Sequence, residues 1–461
     1  MPKKKTDDKS AEKTVKKAPK KQAAKKTTAK TAAKKTAPKK AATAKTAIKT
    51  KKSAAKKTNK KTVNKSVKKA AKTAPKKPTI KKEKGKKVAV ILFNLGGPDK
   101  KESIKPFLFN FFMDKNIIRA PIFVRYFVAK LISIRRTKRE AGESYHELGD
   151  KSPLLENSTA QAEALEKLLN SKKSDPNSYS VHICMRYWHP MAPEVVAEMK
   201  DKVKPDQIML LPLYPQFSTT TTRSSIEVWN EAIKDADYKV PSSMLCCYPT
   251  DDGYVKTSAK NVKKQYEKAI KESGQKKPRI LFSAHGLPES VIKDGDPYQW
   301  QCEQSAKAIV KYMGEEYGMK GLDWTICYQS KVGPQKWIGP STEAELERAA
   351  HDKKAVVVYP HAFTQEHVET LVEIEIEYRE EAEEMGVPYM LRVPTVSTGR
   401  TFISGLAAMV RDYMDTNALL GPGRTKSGAV GAKQSGSVCP KDFRRCCARS
   451  CSLKNTGTNT G

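Results

Sequence analysis

Six short apolar runs set the frame within which this chain can fold. "KVAVILFNL" (87–95), "YSVHICMRY" (179–187), "QIMLLPLY" (207–214), "RILFSAHG" (279–286), "WTICYQS" (324–330) and "AVVVYPH" (355–361) are rich in branched and aromatic residues. Each has the length and continuity of a strand buried on both faces, and turn residues follow. Between them lie helical patterns such as "TAQAEALEKLLN" (159–170), "APEVVAEMKDKV" (192–203) and "EAELERAAHD" (343–352). Strands and helices in alternation predict an α/β architecture of parallel sheets covered by helices. Ligands of such sheets bind beyond the carboxyl ends of the strands.

The strand ends are therefore where function is expected. In the first half they read Asn94-Leu95-Gly96-Gly97-Pro98, Met185-Arg186-Tyr187-Trp188-His189 and Tyr214-Pro215-Gln216. In the second half they read Ser283-Ala284-His285-Gly286, Gln329-Ser330-Lys331 and Pro360-His361-Ala362-Phe363. One polar strand end does no more than satisfy a loop backbone; six together point to a site. A helix drawn through "QEHVETLVEIEIEYREE" (365–381) puts Glu366, Glu369, Glu373 and Glu377 on one stripe. Like charges at that spacing repel by roughly 0.2–0.5 kcal/mol per pair, while Val368, Leu371, Val372, Ile374 and Ile376 read as buried. The stripe is either a solvated face or a path for protons or cations. "FLFNFFMDKNIIRAPIFVRYFVAKLISIRR" (107–136) is greasy, yet Arg119, Arg125, Lys130, Arg135 and Arg136 interrupt it. It reads partly as core helices and partly as an apolar lip over a flat ligand or a membrane surface.

Charge divides the chain further. Of a formal +37, residues 1–87 supply 35 Lys and four acids, with no Arg. This Lys/Ala/Thr segment, 1–86, has no aromatic residue and is expected to be disordered. Such an arm suits a polyanion, either nucleic acid or an anionic lipid surface, and it resembles the tails of linker histones. A transit peptide is the rival reading, though those favour Arg, Ser and an amphipathic pattern. The expected division is 87–255 and 256–416 for two α/β domains, the last helix packing back on the first. Residues 417–461, Gly- and Ser-rich, then form a flexible tail. No apolar run approaches the roughly 20 residues that span a bilayer, and no secretory signal is read at the start. Cys184, Cys246, Cys247, Cys302 and Cys327 read as small buried hydrophobes of a reducing compartment. Cys439, Cys446, Cys447 and Cys451 crowd the end and could hold a cluster or zinc, or form a redox-labile or incidental tail.

"ILFNLGGPD", "RYWHP", "LYPQFSTTTT", "LFSAHGLPESVIKDGDPY", "YQSKVGPQKWIGP" and "HAFTQEHVETLVEIEIEY", in that order, resemble the ferrochelatase family over roughly residues 87–416. The resemblance implies two similar Rossmann-like domains, each a four-stranded parallel sheet flanked by helices. It implies insertion of Fe²⁺ into protoporphyrin IX with loss of two protons, the last step of haem synthesis, and no nucleotide cofactor. Coproporphyrin or another metal is the nearest alternative. A polyanion-associated porphyrin binder with an inactive core is the alternative from another class. Carried over by motif, His285 abstracts protons, binds the metal, or both. Glu369, a proposed metal ligand, and Glu373 complete the catalytic set, with Glu366 and Glu377 extending a proton or cation path. Leu95, Arg136, Tyr145, Arg186, Tyr187, Ser330, Trp337 and His367 are implied to line the porphyrin pocket, Arg136 as a propionate clamp. A [2Fe–2S] cluster on the terminal cysteines is implied for some members, whose further ligand falls at Thr219 here. A cytoplasmic location at the inner face of a membrane is expected, with organellar targeting by the tail as the alternative.

Overall fold

Each of the six apolar runs forms a strand, and two short strands join them. The computed structural model describes residues 85–331, 335–414 and 439–447. The Lys-rich segment before residue 85, most of the C-terminal tail and Cys451 lie outside the described residues, and with them the expectations of disorder. Strands β1 (Lys87–Asn94), β2 (Ser178–Met185), β3 (Gln207–Pro212) and β4 (Ser242–Met244) make one parallel sheet, ordered β2-β1-β3-β4. Strands β5 (Arg279–His285), β6 (Asp323–Gln329), β7 (Val356–Pro360) and β8 (Met390–Arg392) repeat that order as β6-β5-β7-β8. The architecture is thus α/β with two four-stranded parallel sheets flanked by helices. The edge strands β4, "SSM", and β8, "MLR", are too short to carry a pattern of their own.

In chain order, the helices of the first half are α1 (Lys101–Phe112), α2 (Ile122–Thr137), α3 (Glu140–His146), α4 (Leu154–Asn170), α5 (Ala192–Glu198) and α6 (Thr222–Asp235). Then follow α7 (Asp252–Ser273), α8 (Glu289–Lys293), α9 (Tyr298–Glu316), α10 (Thr342–His351), α11 (Tyr378–Met385) and α12 (Arg400–Met414). Alternation along the strands sorts the core. Val88, Val90 and Leu92 of β1 share one cluster with Ile280 and Phe282 of β5, Val357 and Tyr359 of β7, and residues of α4, α7, α9 and α12. The opposite face of β1, Ala89, Ile91 and Phe93, packs on α5 and α6. Leu281 and Val356 pack on α10 and α11. The boundary expected near residue 255 falls in the first turn of α7, whose buried residues belong to the cluster common to both sheets. The last helix, α12, packs on α4 and α7. Helices α1–α3 gather around Phe107, Leu108, Phe112, Tyr145 and Tyr187 at the carboxyl end of β1, with Leu95 and Val368 at the edge.

Candidate active site

The carboxyl ends of β5 and β6 lie side by side, with His285 paired to Gln329 in register. The next residue has to be glycine. Gly286 donates its N–H to the Gln329 carbonyl at 2.9 Å, and a Cβ there would stand 2.9 Å from that oxygen and 3.1 Å from Cε3 of Trp337. The Trp337 ring is thereby laid against the strand end. His285 is half-buried, with Nδ1 2.7 Å from the carbonyl of Gly286. A proton on Nδ1, donated to that carbonyl, leaves Nε2 as the basic nitrogen.

Opposite stands the acidic segment, which is not the α-helix expected. Glu369–Glu377 is a π-helix, bonded i→i+5, a form that is rare and concentrated at functional sites. Glu373 accepts hydrogen bonds from Ser330 Oγ at 2.9 and 2.7 Å to its two oxygens, from Gln329 Nε2 at 3.0 Å and from Tyr378 Oη at 3.2 Å. Burial, then the charge of Glu369, push its carboxyl up from 4.5 to about 7, against the pull of Ser330 and His285. Burial holds His367 below the usual imidazole value, although Glu369 and Glu366 act to raise it. Its ring meets Phe363 edge-on at 4.6 Å. His367 Nδ1, Glu369 Oε2 and Trp337 Nε1 are buried without a hydrogen-bond partner among the described residues. Tyr145 approaches from α3: burial raises its hydroxyl, the charge of Glu369 raises it further, and Arg136 opposes both.

The four-glutamate stripe therefore divides. Glu369 and Glu373 stand near His285 and Ser330, and Glu377 is exposed, accepting from Ser144 at 3.2 Å. Glu366 has both oxygens occupied, by Thr370 Oγ1 at 2.6 Å, Arg392 Nη1 at 3.0 Å and the Thr395 N–H at 2.8 Å. Arg186 and Tyr187 sit in a packed network rather than on an open wall. Tyr187 is fully buried and donates to Asp114 at 2.7 Å. Arg186 donates to Asp114 at 3.0 Å and to Ser224 at 2.6 Å, its guanidinium 4.6 Å from the Tyr187 ring. Burial disfavours the Asp114 charge, but Arg186, Ser224 and Tyr187 outweigh it and hold the carboxyl below the ordinary value. Sequence reasoning missed Asp114, Gln329, Tyr378 and Arg392. Gln329 stood at a quoted strand end, whereas Arg392 carried no local signal. A groove of about 740 Å³ runs between α4 and β2, past Glu163, Glu166, His182 and Glu198, and none of the candidate residues borders it.

The described terminal cysteines pack against the body cysteines Cys246 and Cys247. Cys447 is buried in the core of the first sheet with Cys246. The free thiols of Cys439 and Cys446 are hydrogen-bonded to each other, and Gln301 Nε2 donates to Cys439 Sγ at 3.1 Å and to Cys247 Sγ at 3.5 Å. The segment is pinned by Arg444 to Asp294 at 2.7 Å and by Phe443 on Trp300, ring centres 5.8 Å apart. Thr219 gives its N–H and Oγ1 to Asp296, each at 2.7 Å. Among the described residues no three acidic, imidazole or thiol groups surround a point where one metal ion could sit.

A model of the family described as ferrochelatase matches residues 87–414. The chain belongs to the ferrochelatase family. It is 45% identical over 363 residues to the ferrochelatase of Caulobacter vibrioides (strain NA1000 / CB15N), covering 79% of this chain and 98% of that one. It is 48% identical over 321 residues to the ferrochelatase of Wolbachia sp. subsp. Drosophila simulans, covering 70% and 98%. Among solved structures, SirB from Bacillus subtilis with Fe³⁺ aligns at a TM-score of 0.39 and 13% identity over 71% of this chain and 95% of its own. That likeness is too low to carry an argument, and the sheet topology stands without it. As a ferrochelatase the chain is a lyase of haem biosynthesis with ferrous iron as a substrate. No helix among the described residues is long and apolar enough to cross a membrane.

Proposed function

We propose that this ferrochelatase inserts Fe²⁺ into protoporphyrin IX, with His285 and the Glu369–Glu373 pair receiving the two pyrrole protons. The observation that carries the reading is Glu373, a buried carboxyl raised to about 7 beside Glu369 and within the field of His285. A group poised there exchanges protons at neutral pH, which general base catalysis requires. The ring lies flat against Trp337 and Leu95 beneath the α1–α3 lip, and Arg136 takes a propionate. One pyrrole N–H gives its proton to Nε2 of His285, the other to Glu369. The four ring nitrogens take the cation as the N–H bonds break, so charge balances with two protons released. Glu373 accepts a proton from Glu369, and Glu377 passes it to solvent beside Ser144. Imidazole and carboxylate suit transient delivery of Fe²⁺. Two such donors, His285 and Glu369, hold a cation more loosely than a closed structural site does.

The experiment is insertion of Fe²⁺ into protoporphyrin under argon by the purified chain, followed by porphyrin fluorescence, with coproporphyrin run in parallel. His285→Ala is expected to lose roughly 10²–10⁴-fold in kcat, the range of a removed general base. A variant within threefold of the wild type overturns the assignment.

Three finer readings accompany this one. The α2 face rests on the inner surface of a cytoplasmic membrane, where a hydrophobic porphyrin is exchanged. The Lys-rich segment holds the protein to anionic lipid or nucleic acid. A [2Fe–2S] cluster would draw its four donors from Cys439, Cys446, Cys447 and Cys451. Thr219, bonded to Asp296, is not a donor for it. The cluster would tie down the C-terminal segment through metal–thiolate bonds. Acid-labile sulfide in anaerobically prepared protein supports this reading, and its absence removes it.

A further inference from the structure

Arg392 ends the edge strand β8, and its side chain is 11% exposed. Nη1 donates to Glu366 Oε2 at 3.0 Å and Nε to Glu375 Oε2 at 2.8 Å. The remaining oxygens are also held. Glu366 Oε1 accepts from the Thr395 N–H at 2.8 Å, and Glu375 Oε1 pairs with Arg379. Arg379 in turn donates through Nη1 to the Met390 carbonyl of β8 at 2.6 Å. Two guanidinium groups and two carboxylates thus tie the acidic segment to β8. Glu369 and Glu373 lie between the clamped residues in sequence and are not part of the tie.

The positions of the two carboxylates are what make the tie informative. Glu366 lies just before the helical segment and Glu375 within the π-helix, so one guanidinium spans from the entry of that segment to a residue inside its wide turns. The wide turn is an unfavoured backbone form and persists where its surroundings over-determine it. The planar fork of an arginine, nearly desolvated and bonded to both ends, is a determinant of that kind. Pairing Glu366 and Glu375 with arginine also relieves like-charge repulsion along the segment, whereas among the described residues Glu369 and Glu373 make no ion pair.

We propose that Arg392 is a positioning residue for iron insertion, fixing the entry of the segment at Glu366 and the π-helix at Glu375 so that Glu369 and Glu373 face the strand ends carrying His285 and Ser330. It touches no reacting group. This rests on the insertion chemistry assigned above, and it recasts Glu366, expected in the proton path, as half of a clamp.

The test uses the full chain under argon, with kcat per folded molecule and porphyrin KM measured for Arg392→Gln, Arg392→Lys, Glu375→Gln and the Arg392→Gln/Glu375→Gln double variant. Displaced catalytic groups predict a fall in kcat of about 10–100-fold for Arg392→Gln, with KM within about twofold. Arg392→Lys recovers only part of the loss, because an ammonium cannot bridge two carboxylates in a plane. Glu375→Gln lowers kcat less, and the double variant falls no further than Arg392→Gln, as members of one network do. If Arg392→Gln fails to fold, Arg392→Lys and Glu375→Gln decide the question through the same kcat-against-KM split. An unchanged kcat in the folded variants, with only a lower melting temperature, overturns the proposal, and so do losses that multiply in the double variant. A wild-type chain that inserts no iron would instead defeat the assignment of the reaction.

Discussion

Glu373 joins stability to chemistry in one side chain. Its folded-state value, about 7, lies above the ordinary 4.5 because burial and Glu369 both disfavour its charge. The folded protein therefore binds this proton more tightly than the unfolded chain does. The stabilisation is complete below about pH 4.5 and is lost as the pH rises through 7. Melting temperatures followed from pH 4.5 to 8 should fall more steeply for the wild type than for Glu373→Gln, and parallel curves would contradict the raised value. Ser330 shows what the arrangement costs. Its φ of 62° is left-handed, which strains a non-glycine residue by about 1–3 kcal/mol. The conformation accompanies a hydroxyl within 2.9 Å of both Glu373 oxygens. Gly286 is as constrained, since carbonyl and indole atoms fill the space of a side chain.

Among the elements, α2 departs furthest from a soluble surface helix. Phe123, Phe127 and Leu131, four residues apart, are 77%, 70% and 69% exposed, and Ile122 is 58% exposed. Only Ala129 and Ser133 of this helix are buried, so the stretch read as part core and part apolar lip divides, with Phe107, Leu108 and Phe112 of α1 in the core and α2 facing outward. Arg125, Lys130 and Arg135 lie on the same helix, the combination that binds an anionic interface. Phe123→Asp/Phe127→Asp should cut co-sedimentation with vesicles containing anionic lipid by tenfold or more, since each buried Phe contributes about 1.5–3 kcal/mol. The melting temperature should hold, because neither ring packs in the core. Equal sedimentation of variant and wild type would exclude a membrane role for this face. The π-helix illustrates the opposite limit of legibility. Its apolar and acidic spacing is nearly that of an α-helix, and the arginine that binds its Glu375, Arg392, lies outside the segment.

At the scale of the whole molecule, charge and chemistry are separate. Residues 1–87 hold 35 of the 87 basic residues, while the catalytic candidates all lie beyond β1. Removing residues 1–84 should leave kcat within about twofold and abolish binding to heparin or duplex DNA, whose affinity in the full chain falls steeply with salt. A large loss of kcat would instead give the segment a part in the reaction. The two sheets repeat one strand order and share a core in which residues of β1, β5 and β7 meet α4, α7, α9 and α12. This places both sets of strand ends within one framework.

The sequence by itself determined the six long strands, the glycine and polar residues at their ends, and the presence of His285, Glu369 and Glu373. Burial and backbone preference act over a few neighbours, so their periodicity survives in one dimension. Only the tertiary structure decided which glutamates face the site and which are clamped, that Arg186 and Tyr187 are bound to Asp114, and that Cys446 and Cys447 take different partners. Those outcomes depend on groups tens of residues away, brought near by folding, whose electrostatic and packing effects leave no mark on local spacing.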